Sequence, residues 1–287
     1  MQGLSVSLRT PSRLAPHQLR PLTLEINQTE ALPSDVTKLN LVVSTSVGDV
    51  ALALPLAHYR SRRSATVRFV FRDRDGTAAY AEAHPPTNSD GPQDAVVLAL
   101  HGAGVETDSA FWTDAVAPRP RSWILFPTGR TAWGYDWHAA STENVWAARR
   151  ELSRLLVSLG KEPLSDRNIV IGHSNGGQGA THVFLHHPDE FHAALSAAAY
   201  IKIQAYVPYT QWTSAHHVDP ALLGLLMTGL AGNDEDVLAP NGFGLGRALV
   251  HGREDDNVSP GRKAIRTPSS DLDTASSSRS QSGTVAR

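Results

Sequence analysis

From Lys38 onward apolar residues come in short runs separated by turn formers, and the runs change character along the chain. Leu39–Ser44, Val50–Leu54 and Ala65–Phe71 are rich in β-branched and aromatic residues, and Tyr80–Ala83 extends the series. Such runs predict short strands. Arg74-Asp75-Gly76 between two of them predicts a tight turn, hence antiparallel hairpins at the start of a sheet. Pro85-Pro86 and Asp90-Gly91-Pro92 then break the pattern. Beyond them lie four continuous apolar runs, Ala95–Leu100, Ser122–Pro127, Asn168–Gly172 and Arg247–Gly252. A run without polar alternation fits a strand buried on both faces, as in a parallel sheet. Helical patterns occupy Glu143–Leu159, Gly177–His187 and Ala221–Leu230. The alternation predicts an α/β domain with a mostly parallel sheet, helices on both faces and antiparallel N-terminal strands.

The flanks differ in texture. Residues 1–36 are polar and proline-punctuated, and they read as an irregular segment before a domain over 37–266. Residues 267–287 are serine-rich without apolar period, which predicts a disordered tail. A length of 287 residues suits one domain plus such flanks. A net charge of −2 favours neither a nucleic-acid partner nor an anionic membrane. With no cysteine, disulfides, cysteine-ligated zinc and a cysteine nucleophile are excluded. No apolar run reaches the ~20 residues that a membrane span needs. Met1–Pro21 lacks the apolar stretch of a secretory signal, so the cytoplasm is the default compartment. Arg9, Arg13 and Arg20, with no acid before Glu25, share features with a mitochondrial transit peptide.

Chemistry concentrates in three places. Gly172-His173-Ser174-Asn175-Gly176 follows an apolar strand and opens a helical segment, the context of a G-x-S-x-G nucleophile elbow. The serine must sit on a sharp turn to project its Oγ, and only small flanking residues let strand and helix approach closely. His101-Gly102-Ala103-Gly104 follows the first buried strand, where a turn presents a backbone N–H to an oxyanion. The amides of Ala103 and Asn175 are the candidate donors; losing one such donor costs on the order of 3 kcal/mol of barrier. His101 reads as a packed histidine rather than a base. After the fourth buried strand comes His251-Gly252-Arg253-Glu254-Asp255-Asp256-Asn257-Val258, where an acid would orient and stabilise an imidazole.

These motifs together resemble the catalytic domain of the prolyl oligopeptidase family of serine peptidases, over roughly residues 95–260. The resemblance implies the α/β-hydrolase fold, Ser174 as nucleophile, Asp255 as the triad acid and Asn257 as a contact to substrate backbone. Trp133-Gly134-Tyr135-Asp136-Trp137-His138 is similar to a segment of large fungal members, which makes Trp137 and His138 candidate substrate contacts. The implied substrate is a peptide or a small-molecule ester, cleaved without cofactor or metal. The chain order of this fold is serine, acid, histidine. After Asp255 this sequence has neither a histidine nor an apolar run for a further strand. Three explanations stay open: a reading frame cut short or shifted near Ser259, a catalytically inactive relative, or a substitute base among His138, His173, His216, His217 and His251.

Other constellations read as structure. His182 and His186 are spaced i, i+4, but no glutamate follows His182, so the zinc-protease motif fails. Asn241–Gly246 precedes a strand, which makes it a turn rather than a dinucleotide loop. Arg60, Arg62, Arg63, Arg68, Arg72 and Arg74 read as a solvated strand face. Trp133, Tyr135, Trp137 and Trp146 fit either core or pocket. Asn27-Gln28-Thr29 and Asn257-Val258-Ser259 are glycosylation sequons.

Overall fold

The computed structural model describes residues 4–8, 24–28, 38–55, 66–88, 91–206 and 217–258. The expected disordered tail over 267–287 and His216 lie outside them. The chain divides into two compact units, Met1–Arg60 and Ser61–Arg287.

In the first unit β1 (Leu4–Leu8) pairs antiparallel with β2 (Leu24–Gln28), and β3 (Lys38–Thr45) with β4 (Gly48–Pro55). The first pair lies within the segment that reads as irregular. Leu4-Ser5-Val6-Ser7-Leu8 has the two-residue period of a strand, but over only five residues. The β3–β4 pair forms a sheet of its own rather than the start of the large one.

Among the described residues the second unit is built on seven strands: β5 (Val67–Arg72), β6 (Ala78–His84), β7 (Val96–Leu100), β8 (Trp123–Pro127), β9 (Asn168–His173), β10 (Phe191–Ala197) and β11 (Gly246–Val250). Their order is β5-β6-β8-β7-β9-β10-β11. β6 runs antiparallel to both neighbours, and every other pairing is parallel. The third and fourth strands of the series exchange places, and the second runs against the rest. This is the α/β-hydrolase fold. β10, Phe-His-Ala-Ala-Leu-Ser-Ala, has no β-branched residue and gives no strand signal. It becomes a strand because β9 and β11 both pair with it, a case of tertiary context outweighing propensity.

Among the described residues six α-helices accompany the sheet: α1 (Ala110–Thr113), α2 (Ala140–Ser158), α3 (Asn175–His186), α4 (Ile203–Tyr206), α5 (Pro220–Leu230) and α6 (Glu235–Leu238). Val96, Leu98 and Leu100 of β7, with Trp123 and Leu125 of β8, pack in one cluster with α2 and α3. The intervening Ala99, Ile124 and Phe126 pack on Trp112 of α1 in another cluster. The strand period of two thus sends alternate residues into cores on opposite faces. α2 places Val145, Ala148, Leu152 and Leu156 on one stripe, and all four are buried. α5 is capped by Asp219, whose carboxylate accepts from the amides of Ala221 and Leu222, and it buries no residue. Leu222, Leu225, Leu226 and Met227 of α5 are exposed. Among the described residues no helix is long and apolar enough to cross a membrane.

Candidate active site

Ser174 stands between β9 and α3 with φ 57° and ψ −120°, outside the regions that side chains favour. A non-glycine residue held there costs on the order of 1–3 kcal/mol. The sharp turn requires its glycines. A Cβ on Gly172 would lie 1.9 Å from the carbonyl oxygen of Gly176, and one on Gly176 2.0 Å from that of Leu100. One on Gly177 would lie 2.5 Å from the carbonyl oxygen of Ala197. The Ser174 amide donates to that same Ala197 oxygen at 2.8 Å, tying the turn to the end of β10. Among the described residues the Ser174 Oγ has no hydrogen-bond partner.

The His101–Gly104 turn lies beside it. A Cβ on Gly102 would be 3.7 Å from the Ser174 Cβ. Ala103 is exposed at the tip of this turn, and Asn175 begins α3, where helix amides lack intrahelical partners. His101 is buried. Gly129 donates its amide to His101 Nε2 at 3.2 Å, so Nδ1 carries the proton and donates to the Gly102 carbonyl at 3.0 Å. Burial lowers the pKa of His101 and keeps the ring neutral.

A strained loop closes one side. Gly134, Tyr135, Asp136, Trp137 and Ala139 all have positive φ, between 45° and 67°. Side chains hold this backbone. Asp136 Oδ1 accepts from Asn175 Nδ2 and, at 2.6 Å, from the Tyr200 hydroxyl. Asn175 Nδ2 also donates to Tyr200 Oη at 3.0 Å, which closes a three-residue ring. Burial and the Asp136 charge raise the Tyr200 pKa, so the phenol stays a donor. Tyr200 stacks on Tyr206 at 4.5 Å, and the Tyr206 hydroxyl donates to Asn257 Oδ1 at 3.2 Å.

Trp137 is a correction to the sequence reading. It is 0% exposed, donates its Nε1–H to the His101 carbonyl at 3.2 Å and packs over Gly179 of α3. It belongs to the core, because the left-handed turns before it swing its ring inward. His138 is half-buried, and its ring packs against that of His182 at 4.4 Å with the planes tilted by 47°. Its Nε2 accepts from Gln178 Nε2 at 2.8 Å, and burial lowers its pKa.

Asp255 follows β11. Its Oδ1 accepts from the amides of Asn257 and Val258 at 3.1 and 2.9 Å, and its Oδ2 lies 3.3 Å from His251 Nε2. That Nε2 also donates to the Val258 carbonyl. Among the described residues no histidine hydrogen-bonds Ser174. His173 and His217 are exposed, and His138 and His251 are committed to Gln178 and to Asp255 with Val258.

Fold and turn define the class: a chain with the α/β-hydrolase fold and a serine elbow at the end of its fifth sheet strand. No family model matches the chain. An uncharacterized secreted protein of Arthroderma benhamiae is 35% identical over 195 residues, 64% of this chain and 20% of that protein. The chain thus spans about a fifth of the length of that relative. Similar solved structures include an acylaminoacyl peptidase of Pyrococcus horikoshii, at 14% identity and TM-score 0.48, covering 84% of this chain and 44% of that one. An S-formylglutathione hydrolase of Staphylococcus aureus has 16% identity and TM-score 0.45, covering 66% and 77%. A fluorophosphonate-binding serine hydrolase of the same organism has 19% identity and TM-score 0.37, covering 49% and 59%.

Asp136, Tyr200 and Tyr206 carry no signal of their own in the sequence. Asp136 lies inside an aromatic segment that draws attention to its tryptophans. Tyr200 follows a strand that leaves no pattern.

Proposed function

We propose that the chain is a serine hydrolase that cleaves a peptide or ester bond by acyl transfer to Ser174. The observation that carries this reading is the strained Ser174 turn beside the Gly102–Ala103 turn and the start of α3. In the reaction the Oγ–acyl bond forms, the bond to the leaving alcohol or amine breaks, and the serine proton passes through a base to the leaving group. Water then adds to the acyl carbon and restores the serine. The amides of Ala103 and Asn175 stabilise the oxyanion. Asp255, and Asn257 two residues on, are the acid and the substrate contact in this reading. Peptide and small ester remain alternative substrates.

A second reading is a catalytically inactive hydrolase-like protein. It is favoured by the absence, among the described residues, of any histidine bonded to Ser174. Loss of the base removes catalysis by factors of order 10⁶ in a comparable serine hydrolase. The two readings separate on treatment of the chain and of its Ser174→Ala variant with a fluorophosphonate probe. Labelling that vanishes in the variant supports the hydrolase. A folded wild-type chain that takes no label supports the inactive protein.

A further inference from the structure

Two large aromatic rings stand in solvent on the loop that packs against the Gly102–Gly104 turn. Trp133 is 69% exposed and Tyr135 64%. The Gly102–Gly104 turn links Trp133 to Ser174: at one end a Cβ on Gly102 would lie 3.7 Å from the Ser174 Cβ, and at the other a Cβ on Gly104 would lie 3.8 Å from Cη2 and Cζ2 of Trp133. The Gly104 amide donates to the Ala132 carbonyl at 2.9 Å, which fastens the two loops together. Beyond the rings, Asp136 binds the side chain of Asn175. The segment 133–136 is therefore anchored to both loops that carry the candidate oxyanion amides.

The core does not use these rings. Trp137 fills the buried position beneath the loop, whereas Trp133 is exposed against the Gly104 end of the oxyanion turn. Tyr135 has φ 45° and ψ 41°, a conformation uncommon for a bulky residue. Trp133 itself has ordinary helical angles, φ −87° and ψ −15°, and the strained residue next but one to it belongs to a class that clusters at active sites and ligand clamps. Aromatic faces offer large contact area and prefer offset or edge-on aromatic partners.

Resting on Ser174 as the nucleophile, we propose that Trp133 forms the subsite for an aromatic or similarly bulky apolar group attached to the scissile carbonyl. The substrate class is then an ester or amide with an aryl or arylalkyl acyl group.

The test uses the full chain, Trp133→Ala and Trp133→Phe, with phenylethylboronic or methylboronic acid competing against fluorophosphonate labelling of Ser174. The aryl compound should block labelling at about tenfold lower concentration than the methyl compound. That preference should collapse in Trp133→Ala and survive in Trp133→Phe. An unchanged preference in Trp133→Ala overturns the proposal. If the wild-type chain takes no label, the nucleophile reading has failed and the subsite is read by itself. The tryptophan fluorescence of Ser174→Ala is then titrated with methyl phenylacetate and with methyl acetate. A saturable change with the aryl ester alone, lost on adding Trp133→Ala, upholds the subsite; no saturable change overturns it.

Discussion

His182 offers a pH-dependent test of the packing behind the elbow. It lies on α3 at 3% exposure, with the rings of His138 and His186 at 4.4 and 4.0 Å, and its Nδ1 is buried without a partner. Burial, then the neighbouring His138, His186 and His187, bring its pKa down to about 2. In the unfolded chain a histidine titrates near about 6.5. The folded value is the depressed one, so the neutral ring contributes fully above about pH 6.5, and the contribution fades as pH falls below it. Between about pH 7.5 and about pH 5.5 the unfolded state gains a tenfold protonation advantage, and one such group withdraws about 1.4 kcal/mol of stability. His182→Phe keeps an aromatic ring between those of His138 and His186, removes the titration and leaves no unpartnered nitrogen. Urea unfolding of both proteins at both pH values measures the difference. The wild type should lose about 1.4 kcal/mol more than the variant. Burial moves His101 and His138 in the same direction, but both proteins share them, so they cancel. Parallel losses in the two proteins would refute the idea that His182 is held neutral by the fold.

The elbow makes a harsher prediction. Gly176→Ala places a methyl group 2.0 Å from a backbone oxygen that cannot move without β7, so the variant should lose 3 kcal/mol or more, at the top of the ~1–3 kcal/mol overpacking range, or fail to fold in a thermal melt. Asp136→Ala leaves Asn175 Nδ2 and the Tyr200 hydroxyl without their shared acceptor. It should cost about 2–3 kcal/mol in urea unfolding and slow fluorophosphonate labelling, with Asp136→Asn milder in both. Trp137→Ala should cost about 3–5 kcal/mol, the loss expected of a fully buried ring whose site cannot collapse. A loss below about 1 kcal/mol would show that the ring is not the core residue described above.

The parts of this fold that can be read in the sequence are those whose signal is local. β7, β8, β9 and β11 announce themselves as apolar runs, α2 and α3 as helical periods, and the elbow as glycines around a serine. β10 cannot be read, because its alanines and serine become a strand only when β9 and β11 flank it. Trp137 and Trp133 look alike in the sequence; three successive left-handed residues send one inward and leave the other in solvent. The Asp136–Asn175–Tyr200 ring joins residues 39 and 64 positions apart from Asp136. No pattern of neighbours encodes it.

The Ser174 turn separates two kinds of necessity. Gly172, Gly176 and Gly177 are required by steric clearance whether or not the molecule ever performs a reaction, so they testify to architecture alone. Ser174 is different. Glycine would occupy the same backbone angles without strain, and among the described residues the serine hydroxyl makes no hydrogen bond. Steric clearance thus does not demand a serine there, and the identity of that residue bears on the proposed chemistry rather than on the turn.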